Sequence, residues 1–292
     1  MRFDSYHPAL NFIYFTSVIA CAVWFNHPVF TAISCVAAFA YSVKLNGRRG
    51  LIFDLCLVPL AVLYAGFYSY YNHFGVTPLR QNFIGNSITV EALSYGLMLG
   101  VTAMAVIMWM SCVFAIVSSD KVVYLFGKVS PKLSLFLSII LRSVPRIKEH
   151  AHKIAIAQQG IGRGPSDGNI LQRLVNVIRL VSIVITWTLE NFVESAKSMK
   201  CRGYSLKGRT AFSIYRFDNR DRALVLGISA CLTFTAMAVM FDQTFIYYDP
   251  ELIMNRITFV SLIFYAAYAV LLLLPMTLQI IGEMKFDRAA NA

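Results

Sequence analysis

Long apolar runs separated by short polar connections occupy both ends of the chain. They lie at about 10–25, 28–43, 51–70, 92–117, 223–241 and 257–281, and a helix needs roughly 20 such residues to cross a bilayer. The pattern predicts six transmembrane helices, the first two short, with Asn26-His27-Pro28 as a tight turn between them. Between the fourth and fifth runs the pattern changes. Ser130-Pro131 reads as an N-cap followed by proline at N1. After it Leu133, Phe136, Leu137, Ile140, Leu141 and Val144 share one helix face. Pro145 is expected to kink or restart this helix, because proline lacks the backbone donor and crowds the preceding turn. Its second half, 146–159, is basic, with Ile147, Ala151, Ile154 and Ala155 on the other side, and a glycine-rich stretch at 160–168 ends it.

The stretch 169–204 then reads as one long helix, with Asn169 as N-cap and Gly203 where the chain would turn left-handed. Asn176, Arg179, Ser182, Thr186, Glu190, Glu194 and Lys197 recur three or four apart and form one narrow polar stripe. Most of the circumference therefore needs cover. A membrane span is not expected here. Only ten uncharged residues separate Arg179 from Glu190, and a mid-span charge costs at least ~2.5 kcal/mol.

Composition narrows the class. The 292 residues are 58% apolar and 14% charged, whereas soluble domains carry about 25% charged residues. The fold class is an all-α integral membrane protein, with about six transmembrane helices plus two long amphipathic helices outside the bilayer. Three regions are expected: 1–117 with four spans, 118–222 as the amphipathic region, and 223–292 with two spans. The net charge of +11 sits beside apolar runs, as topology signals do, so no nucleic acid is expected. Lys44, Arg48 and Arg49 fill the second connection, the longer third one holds only Arg80, and Lys285 and Arg288 follow the last span. Both termini and the amphipathic region, which carries 18 of the 26 basic residues, are therefore expected on the cytoplasmic side of a bacterial cell membrane. Cys21, Cys35, Cys56, Cys112 and Cys231 lie in apolar runs and read as small core residues rather than as disulfides or metal ligands. Val18-Ile19-Ala20-Cys21 faintly resembles a lipoprotein cleavage site, but Arg2 is offset by Asp4, and the segment is taken as a retained span.

No catalytic constellation emerges. The glycine-rich stretch lacks the GxxxxGK[ST] spacing, follows a helix and contains a proline, so it reads as a flexible connection rather than a phosphate cradle. His150 and His152 stand two apart, roughly 200° around a helix, and read as solvated residues rather than metal ligands. Asp54, Glu91 and Arg256 are placed near span ends, and Met98, Met104, Met108 and Met110 read as adaptable packing. Neither an enzyme, a cofactor nor a metal is expected.

The run from Glu190 through Lys200-Cys201-Arg202-Gly203-Tyr204, continuing with Gly208-Arg209-Thr210, Arg216-Phe217 and Asp221, resembles the T component of energy-coupling factor (ECF) transporters. In that family a coupling helix ends in Ala-Arg-Gly followed by Tyr. Here Cys201 replaces the alanine, a change between small residues. After the first coupling helix the motif is degraded. Ile161 stands in the arginine's place, with Arg163 two residues on as the candidate substitute. The resemblance implies a coupling subunit of an ABC importer for vitamins or other micronutrients. Two ABC ATPase subunits and a membrane-embedded S component that captures substrate are the implied partners. Lys200, Cys201, Arg202, Gly203 and Arg163 would meet the ATPases, and Arg179, Glu190, Glu194 and Lys197 would form the polar stripe of the second coupling helix. By itself Arg202 could be an ordinary last-turn base worth ~0.3–1 kcal/mol against the helix dipole. An ion-coupled secondary transporter and a membrane scaffold without transport are the competing classes.

Overall fold

The computed structural model describes residues 3–81, 87–204, 206, 215 and 217–290. After a single 3-10 turn at Phe3–Ser5 come α1 (Pro8–Trp24), α2 (Pro28–Tyr71), β1 (Pro78–Gln81), β2 (Ser87–Thr89) and α3 (Val90–Ile116). The chain continues with α4 (Ser119–Val129), α5 (Pro131–Gly160), α6 (Ile170–Cys201), α7 (Asn219–Met240), β3 (Ile246–Tyr247), β4 (Ile253–Met254) and α8 (Phe259–Ala290). The contacts divide it into two units, Met1–Ser118 with Tyr215–Ala292, and Ser119–Ile214.

The protein is an all-α, multi-pass membrane protein. Among the described residues, α2, α3, α6, α7 and α8 are long and apolar enough to cross a membrane, and α1 is apolar but shorter. The second and third expected spans arrive as one element. α2 runs for 44 residues, with regular dihedrals interrupted only at Gly47 (φ +60°, ψ −139°), a left-handed conformation that glycine adopts without penalty. Lys44, Arg48 and Arg49 surround that break.

The first unit is built from close helix contacts. Gly96 and Gly100 of α3 face Ala61 and Ala65 of α2, and a Cβ on Gly100 would come within 2.6 Å of the Ala61 carbonyl oxygen. Small residues four apart on both partners let the two backbones meet, which is how helices associate where lipid removes the hydrophobic drive. Trp109 of α3 is fully buried and donates from Nε1 to Ser34 Oγ on α2 (3.2 Å). Pro275 interrupts α8 and leaves the carbonyl of Leu271 without its helical donor. The buried Tyr14 hydroxyl of α1 supplies one, lying 3.1 Å from both the Leu271 and Leu272 oxygens. An ion pair of Lys44 Nζ with Glu283 Oε2 (2.6 Å) ties α2 to α8.

The caps are partly unexpected. His7 and His27 start α1 and α2, each accepting through Nδ1 from the amide two residues on. Thr89 caps α3 by accepting from the Ala92 amide. Two short antiparallel hairpins, β1–β2 and β3–β4, occupy connections where no strands were expected. In the second of these loops Tyr248 donates to the Asn26 carbonyl (3.3 Å), and burial pushes its phenol up to about 12. Of the cysteines read as core residues, Cys112 is buried and Cys21, Cys35 and Cys231 are half-buried. Cys56 lies exposed on α2, because the apolar surface of a span can face lipid as readily as core.

The second unit begins with an element absent from the sequence reading. α4 precedes the expected helix and packs on it, with the Ser134 hydroxyl of α5 donating to the Val123 carbonyl of α4 (3.2 Å). α5 itself is not restarted at Pro145. It continues for 30 residues, since one missing donor is tolerated where the remaining ladder is long. Ser130 takes the N-cap position without a side-chain cap bond.

Candidate functional site

α5 and α6 form a helical hairpin. Its turn is well tied, which corrects the expectation of a flexible connection. Asp167 Oδ2 accepts from the Gly164 amide (2.9 Å), the Gly164 carbonyl accepts from Asn176 Nδ2 (3.0 Å), and Gly164 is buried. Asn169 caps α6 as expected, and Gln172 completes a capping box by accepting from the Asn169 amide (3.1 Å). The carboxylate of Asp167 already uses a turn amide that a phosphate would need.

Beyond the turn the helices touch through His150 and Trp187, whose ring centroids are 3.7 Å apart. The solvated reading of His150 therefore fails, because it is half-buried on an aromatic face, whereas His152 stays exposed. These two rings line one end of a cleft of about 800 Å³ that opens between Leu135 to His150 of α5 and the C-terminal half of α6. Arg142 and Arg146 border it from α5, and Glu194, Arg202 and Tyr204 border it from α6 and its end. Glu149 also borders it and pairs with Lys153 (2.7 Å), which holds its carboxyl below the usual range. None of the three arginines has an ion-pair partner among the described residues.

The two helices end alike. At α6, Arg202 is the C-cap, Gly203 follows at φ +76°, the Gly203 amide donates to Lys200 O (3.1 Å) and the Tyr204 amide to Met199 O (3.2 Å). This pair of bonds, closing back over a left-handed glycine, is the Schellman arrangement. At α5, Ile161 is the C-cap and Gly162 follows at φ +72°. Its amide donates to Gln159 O (2.9 Å), and the Arg163 amide donates to Gln158 O (2.9 Å). Position for position Arg202 matches Ile161, Gly203 matches Gly162, and Tyr204 matches Arg163.

The remaining residues singled out in the sequence are spread more widely. Lys200, Cys201, Arg202 and Arg163 are exposed, and Gly203 is half-buried. Arg179, Glu190 and Lys197 are exposed away from the cleft, so the polar stripe is not the face that meets α5; only Glu194 borders the cleft. That face consists of half-buried Leu180, Ile183, Val184, Trp187, Thr188 and Asn191. No residue of α6 is buried. The motif residues Gly208, Arg209, Thr210 and Arg216 lie outside the described residues. Phe217 stacks edge-on to His7 (5.4 Å), and Asp221 accepts from the amides of His7 (3.4 Å) and Asp218 (3.0 Å) at the start of α7. Arg142 and Arg146 count among the basic residues of this region in the sequence but are not singled out there as site residues. Their only signal is a spacing that puts them on one face of α5, and nothing local says that this face opposes Arg202. Among the described residues no cluster of three or more His, Cys, Asp or Glu side chains is placed to hold a metal ion.

No family model matches the chain. Seven curated proteins do, and all carry the name energy-coupling factor transporter transmembrane protein EcfT. The protein from Exiguobacterium sibiricum is 34% identical over 96 residues, 32% of this chain and 36% of its own. That from Lactococcus lactis subsp. cremoris is 31% identical over 98 residues, 33% of this chain and 37% of its own. That from Bacillus selenitireducens is 30% identical over 111 residues, 38% of this chain and 41% of its own. The chain thus spans under half the length of the curated relatives it matches. Over that part it is similar to T components of ECF transporters, as the motif at the end of α6 implied.

Proposed function

We propose that this chain is the transmembrane coupling subunit of an ECF-type importer, which passes ATP-driven motion of two cytoplasmic ABC ATPases to an S component that holds the substrate. The observation that carries the reading is the pair of like-capped helix ends on α5 and α6, one of them bearing an exposed arginine. The similarity to curated EcfT proteins supports it. ATP is hydrolysed by the partners and not by this chain. The imported molecule is a vitamin or another micronutrient, chosen by the S component.

Arg202 is the principal contact with an ATPase. Its guanidinium offers a rigid fork of donors to a carboxylate, and Gly203 ends the helix beside it so that the side chain stands at the very tip. Lys200 and Cys201 flank that contact, and Arg163 makes a lesser one from the other helix. The unit of α4, α5 and α6 lies on the cytoplasmic side together with both termini. Burying Arg179, Glu190 and Glu194 in lipid would cost on the order of 5 kcal/mol or more, which supports an interfacial α6 despite its span-like length.

Co-expression with candidate partners tests the assignment. The tagged chain should retain an ABC ATPase and a small membrane protein through purification. Purification of the chain alone, or transport by it in liposomes without an ATPase, would reject the coupling role and favour an ion-coupled carrier. Topology is tested by Lys197→Cys, which should react with impermeant thiol reagents only from the cytoplasmic side.

A further inference from the structure

A second groove, of about 780 Å³, opens on the first unit between α2 and α3. Its lining includes Gly50 and Phe53 on α2 with Ile107, Met110 and Phe114 on α3. Phe114 is 77% exposed, and Phe53, Ile107 and Met110 are also exposed. At one end stands Arg49, two residues beyond the break at Gly47. From there Phe53 is one helical turn deeper on α2, while on α3 the lining runs from Ala115 back to Ile107, about 12 Å of helix at 1.5 Å per residue. That length is most of one leaflet of a hydrocarbon core about 30 Å thick.

The polar groups are distributed unequally. Asn46 and Ser111 satisfy each other through Nδ2 and Oγ (3.0 Å). Lys44 is taken by Glu283. Arg49 and its neighbour Arg48 have neither a hydrogen bond nor an ion pair among the described residues. The groove thus offers an open cationic head and an apolar trough, at the point where a span reaches the headgroup layer.

We propose that this groove is a binding site for one phospholipid of net negative charge, with the phosphodiester on Arg49 and an acyl chain along Phe53, Met110, Ile107 and Phe114. A transmembrane helix of a partner would use the trough but leave Arg49 unmatched, whereas an anionic lipid uses both ends. Arg48, which does not line the groove, adds long-range charge only.

Native mass spectrometry of the full-length chain in mild detergent tests the site, with phosphatidylglycerol and phosphatidylcholine of identical acyl chains as probes. The wild-type chain should retain phosphatidylglycerol about fivefold better, the factor expected for one basic residue at the surface. Arg49→Gln should abolish that preference, while Arg48→Gln should change it less than about twofold, because its charge acts only from a distance. Met110→Trp, which fills the trough, should weaken both lipids. Phe114→Ser repeats that test at a side chain that is mostly exposed. Unchanged preference in Arg49→Gln, an equal loss in Arg48→Gln, or unchanged retention in both trough variants would overturn the site. So would competition by soluble glycerol phosphate as strong as by phosphatidylglycerol, since a free phosphate has no use for the trough.

Discussion

α5 and α6 stop by the same backbone device and present different chemistry at the stop. In both, a left-handed glycine lets two amides close back on the last turn. At α6 the residue before the glycine is Arg202, and the residue after it is Tyr204, which borders the cleft facing α5. At α5 the corresponding residue is Ile161, and the arginine comes after the glycine, where Asp167 and Asn176 tie the turn through Gly164. The backbone cap is thus independent of the side chain it carries. The same cap therefore carries an isoleucine at the end of one helix and an arginine at the end of the other. Arg202 stands exposed at the end of its helix, and Arg163 stands exposed just past the end of its own, within a tied turn.

The largest effect that would break this contrast belongs to Arg202. Arg202→Ala should leave the chain inserted and assembled, yet reduce ATPase-coupled transport by about 30-fold or more, because truncating one side of a desolvated interfacial charge pair costs ~2–5 kcal/mol. Transport and ATP hydrolysis in the reconstituted complex, with assembly followed separately, measure it. Arg202→Lys keeps the charge and loses the fork, so its rate should fall between wild type and Arg202→Ala. Wild-type rates for Arg202→Ala would move the principal contact elsewhere.

Gly203→Ala comes next. A non-glycine residue in the left-handed region costs roughly 1–2 kcal/mol, and here the new Cβ would also press on Leu206 Cδ1 at 3.1 Å. Gly162→Ala carries only the conformational cost, since nothing lies within 4 Å. Faster hydrogen exchange of the last-turn amides should follow both changes and be greater at α6; the reverse order would mean that the two caps differ in more than their side chains. Asp167→Ala removes the acceptor for the Gly164 amide and should loosen the turn by about 1 kcal/mol, seen as faster tryptic cleavage after Arg163. The smallest change is expected from Arg163→Ala, within about threefold of wild-type transport, because its side chain is exposed just past the glycine, in a turn that Asp167 and Asn176 already tie, and its proposed contact is the lesser one. A larger loss there than at Arg202 would invert the assignment.

Much of this was legible from local pattern. Asn169 and Gly203 mark the ends of α6 because capping and left-handed turns depend on a few adjacent residues, and the apolar runs mark the spans because lipid demands length. Other features depended on distant partners. Pro145 was expected to kink or restart its helix, and the helix is not restarted there, because the neighbouring turns carry it through. His150 looked solvated until Trp187, on the other helix, came to lie against it. Arg142 and Arg146 share no sequence neighbourhood with Arg202, and only the hairpin brings them to one cleft. The strands of β3–β4 are two residues each, too short to show alternation. The distinction between Ile161 and Arg202 was visible as a motif, whereas the identity of the two caps beneath it was not.

One property of α6 reaches past the membrane into the life of the cell. A 32-residue helix with eleven large apolar side chains open to their surroundings, from Ile170 and Leu171 to Phe192 and Val193, and with no residue buried in its own chain, is an unfinished surface. Copies made in excess of whatever covers that helix remain exposed to the proteases and chaperones that sort incompletely assembled proteins. If the proposed partners supply that cover, the abundance of the chain follows their supply, and their loss should be read first in how quickly the chain turns over.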